Sequence, residues 1–128
     1  PGVSGYVPKA LLSAALLGDV YALADMVISR AGAGSIAELA AHGKTCILVP
    51  LPSAANDEQK KNAYAIAHIG GASVLEEPNL SEHILLQEIH DLLGDEARSK
   101  QMGEAIRAFY HADAAEMLAQ GVLSMIKQ

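Results

Sequence analysis

The 128-residue sequence is 51% hydrophobic and carries a net charge of −6, from 9 Lys and Arg against 15 Asp and Glu. This length suits a single domain over residues 1–128 with a sizeable buried core, whereas the negative charge excludes the basic surface that nucleic-acid binding requires. The one cysteine, Cys46, lies in an apolar run and cannot form an internal disulfide, which indicates a reducing, cytoplasmic setting.

Hydrophobic spacing alternates between helical and extended patterns along the chain. In chain order, it predicts two short helical pieces over residues 9–24, a strand at Met26–Ile28, a helix at Ser35–His42, a strand at Cys46–Val49, a helix at Asn56–Ile69, a strand at Ala72–Leu75, and helices at Ser81–Leu93, Asp95–Tyr110 and Asp113–Ile126. This order predicts an α/β fold, a Rossmann-like parallel sheet with flanking helices. The apolar run at 10–17 is too short to cross a bilayer. Because the chain begins at Pro1, we expect it to be a piece of a longer protein.

The segment Ile28–Glu38, ISRAGAGSIAE, leads from the end of the first strand through alternating glycines into a helix. Ligands of open parallel sheets bind beyond the carboxyl ends of the strands, where the amides that open the next helix can bind anions. Gly32 and Gly34 permit a sharp turn and a close approach to a ligand. The pattern predicts either a phosphate-binding loop or a tight connection without a ligand.

Gly32, Gly34 and Ala37 also fit the Gly-x-Gly-x-x-Ala fingerprint of dinucleotide-binding domains. That fingerprint requires an acidic residue at the end of the next strand to bind a ribose hydroxyl. Here the next strand is followed by Pro50-Leu-Pro-Ser53, and the first acid is Asp57. The sequence therefore disfavours a nicotinamide or flavin site, and we expect no cofactor.

Glu38 has two interpretations. Ser35-Ile-Ala-Glu38 fits a capping box, in which the carboxylate bonds the Ser35 amide and complements the helix dipole. Alternatively, Glu38 accepts hydrogen bonds from a diol such as ribose and leaves the loop amides to phosphates. Spacing alone does not decide between them.

A second polar segment, residues 52–62, follows the second strand. Asn56 and Asp57 are favourable helix caps, and Gln59 and Asn62 stand three residues apart, near one helical face. Neutral amides can both donate to and accept from sugar hydroxyls. The segment is therefore either the sugar side of a binding site or the exposed polar start of a helix.

The segments ADMVISRAGAGSIAELAAHGKTCILVPLP, NDEQKKNA and GGASVLEE, in this order, resemble the C-terminal, nucleotide-sugar-binding domain of the MurG family of bacterial glycosyltransferases. The resemblance implies a partial GT-B C-terminal domain that works with an acceptor domain or a partner chain. It implies transfer of N-acetylglucosamine from UDP-N-acetylglucosamine to lipid I, with inversion and without a metal, at the inner face of the plasma membrane. Peripheral membrane association would then come from parts outside this sequence.

By position in these motifs, the resemblance implies a set of substrate-binding residues: Arg30, Gly32, Ala33, Gly34, Ser35, Glu38, Gln59 and Asn62. In this set the loop that ends at Ser35 faces the donor diphosphate, Glu38 the ribose hydroxyls and Gln59 the sugar hydroxyls, while Arg30 could support the loop. Lys60 stands where some members carry a second glutamine.

The sequence assigns no catalytic residue. His83 and His90 share a helical face but lack a paired acid or nucleophile, which is typical of surface histidines. Two other function classes stay open: a nucleotide-sugar-binding module that needs a separately encoded acceptor-domain partner, and a non-catalytic, helix-rich interaction domain.

Three strands are fewer than the six or so of a complete doubly wound sheet. The strand at Met26–Ile28 would therefore have an unpaired edge, which tends to be covered or paired. The sequence predicts either that the apolar helix at 9–17 packs over this edge or, as we favour, that two copies pair their edges in a homodimer.

Overall fold

The computed structural model describes residues 4–126. Its elements, in chain order, are α1 (Ala14–Leu23), β1 (Val27–Ser29), α2 (Ala33–His42), β2 (Cys46–Leu48), a 3-10 turn (Ala55–Asp57), α3 (Glu58–His68), β3 (Ser73–Val74), a second 3-10 turn (Glu77–Asn79), α4 (Glu82–Gly94), α5 (Glu96–Arg107) and α6 (Ala114–Ile126). Each of these strands lies within or beside a segment that the sequence predicts as a strand. The expected Rossmann-like parallel sheet with flanking helices is confirmed.

The strands pair in parallel in the order β1-β2-β3. Val27 of β1 lies opposite Cys46 of β2, and Ile47 of β2 lies opposite Ser73 of β3. Because parallel strands all run the same way, their carboxyl ends lie along one edge of the sheet. The loops that follow the three strands therefore meet at this edge.

The core lies on both faces of β2. On one face, Leu39 of α2 and Ile66 of α3 belong to the same packed cluster as Cys46. On the other face, Ile47 packs with Leu92 of α4. Burial raises the pKa of the free Cys46 thiol to about 12, so this cysteine is a packing residue and not a nucleophile.

The expected division of residues 9–24 into two helical pieces is wrong. α1 continues through Gly18 as one helix, and the hydroxyl of Ser13 caps its start. Tyr21 of α1 is buried in the same cluster as the core residues of α2. That packing outweighs the roughly 1 kcal/mol that a glycine costs inside a helix.

β1 is an edge strand of the described sheet. Ile28, at its centre, is 45% exposed and belongs to neither packed cluster. Leu11, in the segment that could have covered this edge, is 90% exposed, and α1 packs against α2. Within the segment at 9–17, Leu11 therefore does not cover this edge, whereas Leu17 packs against the same core cluster as Val27 of β1.

α6 differs from the other helices because none of its residues is buried. One side of it forms an apolar groove of about 630 Å³, lined by His111, Ala114, Met117, Leu118, Gly121, Val122 and Met125. Within residues 4–126, no helix combines the length and the apolar character needed to cross a membrane.

Candidate functional site

The start of α2, at the carboxyl end of β1, forms the centre of the candidate site. Gly32 is the N-cap residue, and the first helical hydrogen bond runs from the Ile36 amide to the Gly32 carbonyl at 3.0 Å. The amides of Ala33, Gly34 and Ser35 precede this bond and so have no acceptor within the helix. A Cβ at Gly32 or Gly34 would meet open space. A ligand can therefore reach these amides, whose dipoles favour an anion.

The capping-box interpretation of Glu38 is wrong, because α2 begins at Ala33 and Glu38 lies in its second turn. The Glu38 carboxylate instead accepts a hydrogen bond from the Tyr21 hydroxyl at 3.1 Å. The Tyr21 ring stacks on His42, with ring centroids 5.2 Å apart and planes at 22°. Burial and then the hydrogen bond and charge of Glu38 raise the pKa of Tyr21, so its hydroxyl stays a protonated donor at neutral pH.

Gly34, Glu38 and His42 follow one another at intervals of four residues and therefore lie along one face of α2. The helical rise places the Glu38 Cα about 6 Å along the axis from that of Gly34. Tyr21 bonds one oxygen of the Glu38 carboxylate, and the other oxygen is left to accept further hydrogen bonds. This face suits a ligand with a phosphate at the helix start and a hydroxyl-bearing ring beside the next turn.

Gln59 of α3 joins two of the loops at the carboxyl edge of the sheet. Its Oε1 accepts from the Ala31 amide at 3.3 Å and from the Leu51 amide at 3.0 Å. Within residues 4–126, its Nε2 has no hydrogen-bond partner. The oxygen of Gln59 therefore shapes the site, and its amide nitrogen is the group left to donate to a ligand.

Asn62, one turn later on α3, completes this connection. Its Nδ2 donates to the Ala31 carbonyl at 3.2 Å. Gln59 and Asn62 therefore bond the backbone amide and the backbone carbonyl of the buried Ala31. Before α3, Asn56 and Asp57 both adopt left-handed backbone conformations, at φ 53° and 54°. Asp57 occupies the N-cap position of α3, as the sequence indicates, but its side chain makes no cap hydrogen bond.

Arg30 contacts the segments that follow β2 and β3 and so supports the loop. Its Nη1 donates to the Val49 carbonyl at 3.3 Å and pairs with the Glu77 carboxylate. This contact ties the end of β1 to the segment that follows β3. Its predicted place in the substrate-binding set therefore rests on the resemblance, while its observed contacts are structural.

Glu76 holds a second group of polar contacts at this edge. It accepts from the Tyr64 hydroxyl at 2.7 Å and from the Lys60 ammonium at 3.0 Å. The Tyr64 hydrogen bond and then the Lys60 ammonium lower the pKa of Glu76. Lys60 is thus paired with an acid, and a cavity of about 190 Å³ lies between this pair and Pro50.

Sequence reasoning missed the roles of Tyr21, Glu76 and Glu77. A signal existed for the two glutamates, since consecutive acids follow β3 directly and the carboxyl ends of parallel strands share one edge. No comparable signal exists for Tyr21, because its contact depends on how α1 packs against α2. Among residues 4–126, no group of three or more metal-ligating side chains is suitably placed to hold a metal ion.

A larger cavity of about 620 Å³ lies at the opposite, amino end of the strands. Its lining mixes the acids Asp25, Glu96 and Glu104 with the cations Lys44, Lys100 and Arg107. Lys44 donates to the Ala22 and Ala24 carbonyls, and Arg107 donates to the His42 carbonyl. Lys44 and Arg107 thus bond carbonyls at the ends of α1 and α2, and the cavity lies at the opposite end of the strands from the α2 start.

Comparison with known proteins places this geometry in a family. Residues 14–118 match the family model described as glycosyltransferase family 28 C-terminal domain. The UDP-N-acetylglucosamine--N-acetylmuramyl-(pentapeptide) pyrophosphoryl-undecaprenol N-acetylglucosamine transferase of Geobacter metallireducens is 41% identical over 108 residues, which cover 84% of this chain and 30% of the relative. The transferase of the same name from Chlorobaculum parvum is 42% identical over 111 residues, covering 87% of this chain and 30% of the relative.

Among solved structures, a crystal structure of Acinetobacter baumannii MurG matches with a TM-score of 0.76 at 28% identity, and the match covers 83% of this chain and 30% of that one. The chain therefore spans about 30% of the length of the relatives it matches. With a family match over residues 14–118 and a fold that agrees with it, this chain belongs to the C-terminal domains of glycosyltransferase family 28.

Proposed function

We propose that this chain is the donor-binding part of an enzyme that transfers N-acetylglucosamine from UDP-N-acetylglucosamine to lipid I in peptidoglycan synthesis. The names of the relatives describe a transferase of N-acetylglucosamine that acts on a pyrophosphoryl-undecaprenol substrate. The open start of α2, with Glu38 one turn along the same face, is the observation that carries the proposal.

In the proposed complex, the diphosphate binds the amides of Ala33, Gly34 and Ser35. These donors supply hydrogen bonds and the positive end of the helix dipole without any basic side chain, which accords with the acidic composition of the chain. The ribose lies beside the next turn, where Glu38 accepts from its hydroxyls through charge-assisted hydrogen bonds. Glu38 is therefore placed to bind the diol without competing for the amides.

The sugar of the donor lies toward α3 in this proposal. The Nε2 of Gln59 donates to a sugar hydroxyl while its Oε1 holds the Ala31 and Leu51 amides. Asn62 fixes the same loop from the other side. Arg30 holds the loop in place through Val49 and Glu77.

Calorimetric titration of the chain with UDP and AMP tests the proposal. We expect UDP to bind in preference to AMP, and Glu38→Gln to weaken UDP binding by about 1 to 3 kcal/mol, because a charged acceptor becomes a neutral amide. Glu104→Gln is the matched control, since it removes the same charge from the cavity at the amino ends of the strands. Equal binding of UDP and AMP, or equal losses in the two variants, would contradict the proposal.

We further propose that acceptor binding and catalysis need an acceptor domain or partner chain, and that the complete enzyme works at the cytoplasmic face of the plasma membrane. The chain spans about 30% of the relatives' length, which supports this division. The chain alone should bind UDP-N-acetylglucosamine weakly and transfer nothing. Transfer to a lipid I analogue by the purified chain would refute this part.

The edge of β1 supports a proposal of self-association when the chain is alone. β1 has a neighbour on one side in the described sheet, Ile28 is 45% exposed, and Leu11 is 90% exposed. Unpaired strand edges favour pairing with a second copy, here about a two-fold axis. Sedimentation equilibrium at micromolar concentration should detect a dimer, and a single 13.4 kDa species throughout would rule it out.

A further inference from the structure

We propose that Tyr21 is a positioning residue for donor binding: its hydroxyl holds the Glu38 carboxylate in the orientation that accepts the ribose hydroxyls. The inference rests on the proposed function, because it requires that Glu38 bind the ribose. It assigns to α1, which precedes the glycine loop in the chain, a part in selecting the nucleotide.

The first support is the geometry between α1 and α2. Tyr21 is 8% exposed, and its hydroxyl donates to the Glu38 Oε2 at 3.1 Å. Its ring stacks on His42, one turn beyond Glu38 on the same face. The tyrosine is thus held at the ring by packing and delivers its hydroxyl to one defined oxygen.

The second support is the exposure of the carboxylate. Glu38 is an exposed residue, and within residues 4–126 the Tyr21 hydroxyl is the one side-chain donor bonded to it. Without that bond, the carboxylate would sample several rotamers and would lose this freedom when the ligand binds. Ordering a side chain on binding costs about 0.5–1.5 kcal/mol, which Tyr21 removes by ordering Glu38 beforehand.

The third support is what the bond leaves free. Tyr21 donates to Oε2, so Oε1 and a second lone pair on Oε2 stay available. Two hydroxyls of a cis-diol need two acceptor positions, and both exist beside the bond to Tyr21. The tyrosine can therefore orient the carboxylate without occupying the positions that bind the ligand.

Tyr21→Phe tests the inference, because it removes the hydroxyl and keeps the ring that stacks on His42. Titrations use UDP and 2′,3′-dideoxy-UDP, which lacks both ribose hydroxyls. We expect Tyr21→Phe to weaken UDP binding by about two- to tenfold and to leave dideoxy-UDP binding unchanged. In a Glu38→Ala background, which removes the acceptor of the Tyr21 hydroxyl, the same substitution should have no further effect on either ligand.

The control is Tyr64→Phe, which removes another hydroxyl that donates to a glutamate, here Glu76 on the segment after β3. It should leave the ratio of UDP to dideoxy-UDP affinity unchanged. This ratio is also insensitive to partial unfolding, because a smaller folded fraction weakens both ligands equally. A merely structural role for Tyr21 would therefore not alter it.

The outcomes separate the two proposals. If the unaltered chain does not prefer UDP to dideoxy-UDP, or if Glu38→Gln leaves the preference intact, the ribose role of Glu38 is wrong and the inference falls with it. If Glu38→Gln abolishes the preference and Tyr21→Phe retains it, the inference alone is wrong. Tighter UDP binding by Tyr21→Phe would also overturn it, because the hydroxyl would then compete with the ribose.

Discussion

Replacing Gln59 by methionine should destabilise the chain through one atom, the Oε1 that accepts from two backbone amides. Methionine keeps the length and flexibility of the side chain but removes the amide. Ala31 is fully buried, so its orphaned amide costs about 1–3 kcal/mol. Leu51 is exposed, so water can replace the lost bond there at little cost. We expect a total loss of about 2–3 kcal/mol in the free energy of unfolding.

Urea denaturation measures this loss, provided the m-value is unchanged between variants. Gln59→Glu is the matched control, because a carboxylate oxygen can still accept from both amides. It should stay within about 1 kcal/mol of the unaltered chain, while losing the Nε2 donor proposed for the sugar. Its affinity for UDP-N-acetylglucosamine should then approach its affinity for UDP. A methionine variant as stable as the unaltered chain, or a glutamate variant as unstable as the methionine one, would refute this reasoning.

Two further predictions concern packing and pH. Gly103→Ala should destabilise the chain by about 1–3 kcal/mol in urea denaturation, because the added Cβ would overlap the carbonyl oxygen of Gly43; an unchanged denaturation midpoint would contradict this. The pKa of Glu76 is lowered from 4.5 by the Tyr64 hydroxyl and then by the neighbouring ammonium, so its contribution to stability is complete above pH 4.5 and is lost as the pH falls through the lowered value. In urea denaturation between pH 7 and pH 3, Glu76→Gln should therefore lose less free energy of unfolding as the pH falls than the unaltered chain does. An unchanged pH dependence would disprove the contribution of Glu76.

Strand positions could be predicted because short apolar runs bounded by glycine and proline leave few alternatives. The apolar run Cys46–Val49, followed by Pro50, predicts a strand, and the structure has one at Cys46–Leu48. The course of α1 could not be predicted, since Gly18 is a local breaker and the compensating burial of Tyr21 comes from a distant helix. Local pattern therefore located the elements, and tertiary packing decided their ends and continuity.

In the candidate site too, some features could be predicted from local sequence and others depend on tertiary contacts. The glycine loop was located from sequence because its function depends on backbone amides at a strand-to-helix junction, which composition reveals. The partner of Glu38 was missed because it lies 17 residues away on another helix. The two hydrogen bonds that Gln59 Oε1 accepts were missed for the same reason, since the Ala31 and Leu51 amides are brought together by the sheet.

The exposure of α6 has a consequence for how the chain unfolds. A helix of 13 residues without a buried side chain gains little from tertiary packing, and isolated helices of that length are marginal in water. Its helix–coil equilibrium should thus be separate from the cooperative transition of the sheet and the helices packed on it. Circular dichroism would then record a gradual loss of helical signal from α6 before the main transition, and a two-state fit to the whole curve would understate the stability of the core.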